Sequence, residues 1–260
     1  MRQSIWLAAG LGLAAFVTSY AAPAAEHVPA YVAKAVADPG RPEADKQLDA
    51  QRKPAETLAF AGIKPGQSVA ELIPGRGYFT RLLSKIVGPK GHVYAYPPPR
   101  RANAPADAPN PAAAVTAIAG DAAYSNVKVE TFSPGKLDVP APVDVVWTSR
   151  NYHDFHNIPN ADMSAFNKAV FDALKPGGTY IVLDHAAVAG SGTQATSTLH
   201  RIDPEAVKSE VTAAGFELVG QSDLLHSVDD QHTAPVFDSS VKDKTDQFIL
   251  KFRKPAHKKG

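Results

Sequence analysis

The chain of 260 residues contains no cysteine. Thiolate nucleophiles, thiolate metal sites and disulfides are therefore excluded, and the apolar core has to hold the fold. Excess charge is missing too: 27 Lys and Arg face 26 Asp and Glu, a formal net charge of +1. A balanced chain has no long-range grip on nucleic acid or on anionic lipid, and neither partner is expected. The basic end, Lys251 to Lys259, is short and reads as a solvated tail. Beyond the first 25 residues no apolar run is long enough to span a membrane. There is no internal repeat, and no Gly-x-Ser-x-Gly elbow that would support a hydrolase.

What is present is an ordinary globular composition, 44% hydrophobic and 20% charged. It suits one α/β domain of roughly 200 residues with short appendages. At the start, Arg2 precedes the apolar run Ile5 to Val17 and the small residues Ala21, Ala22, Ala24 and Ala25. That is the pattern of a secretory signal peptide, so residues 1–25 are expected to be removed and the chain exported, to the periplasm. Removal takes away one base, Arg2, and no acid, and leaves no stable membrane anchor. The expected organisation is a signal peptide (1–25), an N-terminal helical extension (26–62), the main domain (63–255) and a basic tail (256–260).

Hydrophobic periodicity predicts the elements. Residues 28–36 form a short helix, and 47–60 either a helix interrupted at Pro54 or two helices, with Pro54 in the first turn of the second. Strands are predicted at 67–73, 92–96, 127–131, 143–148 and 179–183, with closing strands at 216–220 and 245–252. Val143 to Thr148 is nearly all apolar, as a central parallel strand buried on both faces would be. Helices begin at Tyr78, at 112 and after a cap at Asn160, and Lys175-Pro176-Gly177-Gly178 separates that last helix from the next strand. Asp203-Pro204 is a cap followed by a first-turn proline. Strands alternating with helices imply a parallel sheet covered on both faces.

The most informative segment is Glu71-Leu72-Ile73-Pro74-Gly75-Arg76-Gly77-Tyr78, which joins a strand to a helix. Glycines there allow positive φ and close approach of a ligand to the backbone, and the helix start offers free N–H groups. Alone, it could also be a simple turn. It resembles motif I of the class I S-adenosylmethionine (SAM) methyltransferases, acidic-x-Gly-x-Gly-x-Gly: Glu71, Gly75 and Gly77 match, and Ile73 stands at the first glycine. Leu174 to Gly178 before a strand ending in Asp184 is similar to the family's turn into strand five. Asp144 to Asp154 resembles strand four and its loop. Arg52-Lys53-Pro54, Leu199 to Asp203, Ala213 to Phe216 and Thr245 to Phe248 are similar to a group of bacterial methyltransferases, many of them exported.

The resemblance spans about residues 40–255. It implies a Rossmann-like class I methyltransferase fold, a seven-stranded, mostly parallel sheet with helices on both faces and a reversed final hairpin. It implies SAM as cofactor, held by Glu71, Pro74, Gly75, Gly77, Tyr78, Tyr96, Ser133 and Asn151. At two positions the chain departs from the family. Tyr96 stands where an acid ends strand two and holds the ribose, and Ser133 stands roughly where an acid reads the adenine. Tyr96, and Thr80 in place of a third glycine, also speak against a nicotinamide dinucleotide.

After strand four, Asn151-Tyr152-His153-Asp154-Phe155-His156 lies at the edge where ligands bind in such sheets. His153 is expected to take a proton from the acceptor, with Asp154 orienting it and Tyr152 beside it. His185 closes strand five, and His200 approaches from a later loop, both as substrate contacts. A metal site of His with Asp, and plain structural hydrogen bonding, are competing readings; no metal ligand is assigned. The loop from Asp229 to Asp238 reads either as a lid or as a solvated surface. The expected function is SAM-dependent methyl transfer to a small molecule. The alternative is an exported binding protein that kept the fold without catalysis.

Overall fold

The computed structural model describes residues 27–100, 104–105, 107–133 and 135–256. The signal-peptide segment 1–25 and residues 257–260 of the basic tail lie outside them. The N-terminal segment forms α1 (Ala30–Val36), α2 (Glu43–Lys46), α3 (Asp49–Arg52) and α4 (Pro54–Ala61). Pro54 is the first residue of α4, where its missing N–H costs nothing, and Lys53 turns the chain with φ 41°. Of the two forms expected for 47–60, the chain thereby takes the second, two helices. Val32, Leu58 and Ala61 are buried in the main core, so this segment is packed into the domain.

Then β1 (Ser68–Leu72), α5 (Tyr78–Val87), β2 (His92–Tyr96), α6 (Ala113–Ala119), β3 (Val127–Val129) and β4 (Val143–Ser149) follow. The chain continues through α7 (Tyr152–Phe155), α8 (Met163–Ala173), β5 (Leu174–His185), α9 (Pro204–Ala213), β6 (Glu217–Ser222) and β7 (Gln247–Arg253). The cap of α8 is Asp162, which accepts from Ala165 N–H at 3.0 Å. Asn160, expected there, instead takes a left-handed turn at φ 60°. Lys175 to Gly178 does not stand outside the strand: β5 starts at Leu174 and is kinked there, with Gly177 at φ 80° and a register shift opposite Val143–Val145. Asp203 caps α9 as expected, accepting from Glu205 N–H at 2.9 Å.

The seven strands lie in the order β3-β2-β1-β4-β5-β7-β6. β7 runs antiparallel to both its neighbours; the other pairings are parallel. Side chains alternate between two cores. Val69, Trp147, Ile181 and Leu183 face Leu82 and Leu83 of α5. Ala70, Val146, Tyr180 and Val182 face Val170 of α8 and Val207 of α9. This is the seven-stranded, mostly parallel sheet with helices on both faces that the sequence implies. The strand order reverses between β1 and β4, so their carboxyl ends diverge and leave a crevice.

Candidate active site

A cavity of about 460 Å³ opens at that crevice, within the usual size range of small-molecule sites. Its floor is the β1–α5 turn. Ile73, Gly75 and Gly77 all have positive φ, at 48°, 59° and 79°. For Ile73 this is a sparsely populated conformation, held by N–H donation to Tyr96 O at 2.9 Å. The two glycines do different work. A Cβ at Gly75 would meet nothing within 4 Å, so this backbone is open to a ligand. A Cβ at Gly77 would lie 2.1 Å from Ile118 Cδ1, so Gly77 lets α5 pack against α6 and does not line the cavity. Glu71 lines it; its carboxylate is buried and accepts from Thr80 Oγ1 at 2.6 Å. Burial pushes Glu71 up to about 7, against the hydroxyl's opposing pull.

Asn151 is a strut between the two sides of the crevice. Its Nδ2 donates to Ile73 O (3.1 Å) and Ser149 O (3.0 Å), and Thr148 Oγ1 donates to its Oδ1. Beyond it, His153 is buried. Its Nδ1 lies 2.8 Å from Asp184 Oδ1, its backbone N–H donates to Asp184 Oδ2 at 2.8 Å, and its Nε2 is 3.4 Å from Asp154 Oδ1. Burial disfavours its charge, but Asp184 and Asp154 outweigh burial and raise the imidazole to about 10. His153 is therefore charged at neutral pH, which corrects the expectation that it takes the proton: both ring nitrogens face carboxylates.

His185 differs. Its Nδ1 pairs with Thr245 Oγ1 at 2.8 Å, and its Nε2 has no partner among the described residues. Burial, helped by Arg150 and His153 against Asp184, pushes it down to about 3. It lines the cavity as a neutral imidazole. Two guanidinium groups face the same space. Arg150 has φ 59° and is lowered to about 10 by burial and by Arg52; Arg52 lies 4.2 Å over the Tyr78 ring with its buried Nε unpaired. Such a pair suits an anionic group such as a carboxylate.

The long loop before β7 covers the cavity: Val236, Phe237, Lys242 and Asp243 line it. It is pinned by Arg201, fully buried, which meets Asp230 at 2.8 and 3.0 Å and donates to Ala186 O and Ala234 O. Its acids are thus partly structural. Asp246 likewise holds His226 and His232, each at 2.9 Å.

Of the residues expected at the site, Glu71, Pro74, Gly75, Tyr78, Asn151, His153, Asp154 and His185 share the cavity wall. His200 stands just behind it, its ring 5.4 Å from that of His153. Others lie elsewhere. Tyr152 is buried in the second core and bonded to Glu210 and Asn167, so it cannot reach a ligand in the cavity. Tyr96 is fully buried with its hydroxyl donating to Asp138 O, and Ser133 sits in an exposed turn opposite Lys136. The cavity extends from β1 toward β4 and β5 and not over the ends of β2 and β3.

Asp184, Arg150, Arg52 and Arg201 fall within the segments that carry the resemblance, but none of them is given a role at the site by the sequence. Asp184 carried a usable signal, an acid ending a buried apolar strand at the carboxyl edge of the sheet. The others show only once the loops are folded.

No protein-family model and no curated protein matches the chain. Solved structures do. A SAM-dependent methyltransferase from Aquifex aeolicus is similar over 82% of this chain and 98% of its own, at 18% identity and TM-score 0.54. The [4+2]-cyclase SpnF matches over 82% of both chains at 16% identity and TM-score 0.56. The glycopeptide N-methyltransferase MtfA, complexed with SAM, matches over 80% of this chain and 87% of its own, at 14% identity and TM-score 0.53. The chain thus has the Rossmann-like fold of the class I methyltransferases.

Proposed function

We propose that the protein is a SAM-dependent methyltransferase acting on a small molecule. The carrying observation is the β1–α5 turn: a left-handed glycine with open space above it beside a buried carboxylate, at the switch point of this sheet. Glu71 and the Gly75 backbone would take the amino-acid end of the cofactor, with Arg52 and Arg150 placed for its carboxylate. When bound, SAM supplies an electrophilic methyl group. The chain's own part is to align the acceptor, whose proton passes to water. His185, neutral and with Nε2 without a partner among the described residues, can take a hydrogen bond from the acceptor's O–H or N–H; charged His153 cannot. Fold alone does not fix the reaction, as the cyclase among the similar structures illustrates.

Export and the periplasm are part of the same proposal and rest on the sequence of residues 1–25; membership of the exported bacterial group rests on the segments 52–54, 199–203, 213–216 and 245–248. Calorimetric titration of SAM and its demethylated product tests the cofactor site. Binding to the wild type and its loss in Gly75→Asn, a residue that tolerates left-handed φ, are expected. No binding at millimolar cofactor would overturn the reading. Gly77→Asp is a poor control, because any side chain there collides with Ile118.

A further inference from the structure

On the cavity wall, His153 and Asp154, with His200 just behind it, bring three donor atoms within 4.8 Å of one another. Their spacing is longer than that of an ordinary hydrogen bond. His153 Nε2 and His200 Nδ1 lie 3.4 and 3.3 Å from one and the same oxygen, Asp154 Oδ1. His200 Nδ1 is buried there without a hydrogen-bond partner. These two separations match the edge of a coordination tetrahedron: donors bound at about 2.05 Å lie about 3.3 Å apart. Adjacent octahedral donors at about 2.1 Å would lie only about 3.0 Å apart.

Two further observations support a ligating role. Asp184, wholly buried, holds His153 Nδ1 at 2.8 Å, which fixes the ring with Nε2 facing the cluster. A carboxylate behind an imidazole is how metal-bound histidines are commonly oriented. His200 is held at φ 55°, uncommon for a residue other than glycine, with the Phe237 ring 4.9 Å away.

We propose that His153 Nε2, Asp154 Oδ1 and His200 Nδ1 bind one divalent transition-metal ion of the zinc type, with the fourth position open toward the cavity. Binding displaces the His153 Nε2 proton to solvent. Two imidazoles and one carboxylate with an open position form a donor set of the kind catalytic zinc sites use. An acceptor oxygen or nitrogen on that position would stand on the wall shared with His185, whose ring centre is 6.2 Å from that of His153. The inference does not depend on the methyltransferase reading.

The test is calorimetric titration of zinc chloride into the untagged, chelator-stripped full chain at neutral pH, with cobalt(II) as a spectroscopic probe. One equivalent is expected to bind with submicromolar affinity, and bound cobalt to show the intense visible bands of four-coordination. His200→Ala and Asp154→Asn are each expected to weaken binding about 100-fold or more, while His226→Ala leaves it unchanged. His200 is partly exposed, and circular dichroism of each variant confirms that it is folded. Absent zinc binding, zinc affinity unchanged in folded His200→Ala, or six-coordinate cobalt spectra would overturn the proposal. SAM titrated into the same stripped protein separates failure of the metal site from failure of the cofactor site.

Discussion

His153 and His185 stand on neighbouring edges of one cavity and differ in charge. His153 follows β4 and is flanked by Asp184 and Asp154; His185 ends β5, and among the described residues the hydrogen-bond partner of its ring is the hydroxyl of Thr245. Burial acts on both in the same direction, toward the neutral form. Two carboxylates reverse it for His153 and raise the ring to about 10, whereas nothing of that strength rescues the charge of His185, which falls to about 3. Residue type and burial therefore do not assign the charge; the nearest carboxylates do.

The largest effect on turnover should come from removing the neutral imidazole. Once an acceptor screen gives turnover, His185→Ala should lower it by about 10²-fold while SAM affinity is retained. Equal loss of cofactor binding would make His185 a cofactor contact and break the comparison. Next is the charged side of the pair. Asp184→Asn leaves a buried imidazolium short of its main partner and should cost about 3–5 kcal/mol in urea unfolding. The His153 ring, followed by NMR, should then lose its proton below the wild-type value of about 10. A stability within experimental error of the wild type would show that the pair is not what holds the charge.

Glu71 extends the contrast to the acids. It too is buried, but it faces the Thr80 hydroxyl instead of a cation, and its pKa is raised from 4.5 to about 7. A raised folded pKa means that the folded state holds a proton the unfolded chain has released. Glu71's contribution to stability is therefore complete below 4.5 and is lost as pH rises toward about 7. Over that window the loss should be about 3 kcal/mol, and Glu71→Gln should abolish it. Urea midpoints at about pH 5 and about pH 8, in both proteins, give the answer. The smallest effect is expected from Thr245→Val, which removes the one hydrogen bond on His185 Nδ1 and should cost about 1 kcal/mol in the same assay.

Much of the fold was legible because it is written in local chemistry. The apolar run at Val143 to Thr148, the Gly75–Gly77 turn and the Asp203-Pro204 cap each have one physical reading, and the sheet carries all of them. Ends were harder. Asp162 and Asn160 are both capping residues, and only the path of the chain decides between them.

The site was legible in its location and less so in its roles. Gly75 and Gly77 look alike in sequence, but one is open to the cavity and the other is filled by Ile118, a contact from a helix some forty residues away. Tyr152 and His153 are adjacent on a one-turn helix, so their side chains diverge, and Tyr152 goes into the core. Asp184, the partner that charges His153, lies 31 positions downstream, and no local pattern joins the two.

The most direct test of the account is a crystal structure with S-adenosylhomocysteine. The account predicts its amino-acid end against the Gly75 backbone and Glu71, with the sulfur directed into the cavity that His185 lines. A ligand lying away from the β1–α5 turn, or a cavity that stays free of it at millimolar concentration, would contradict the account.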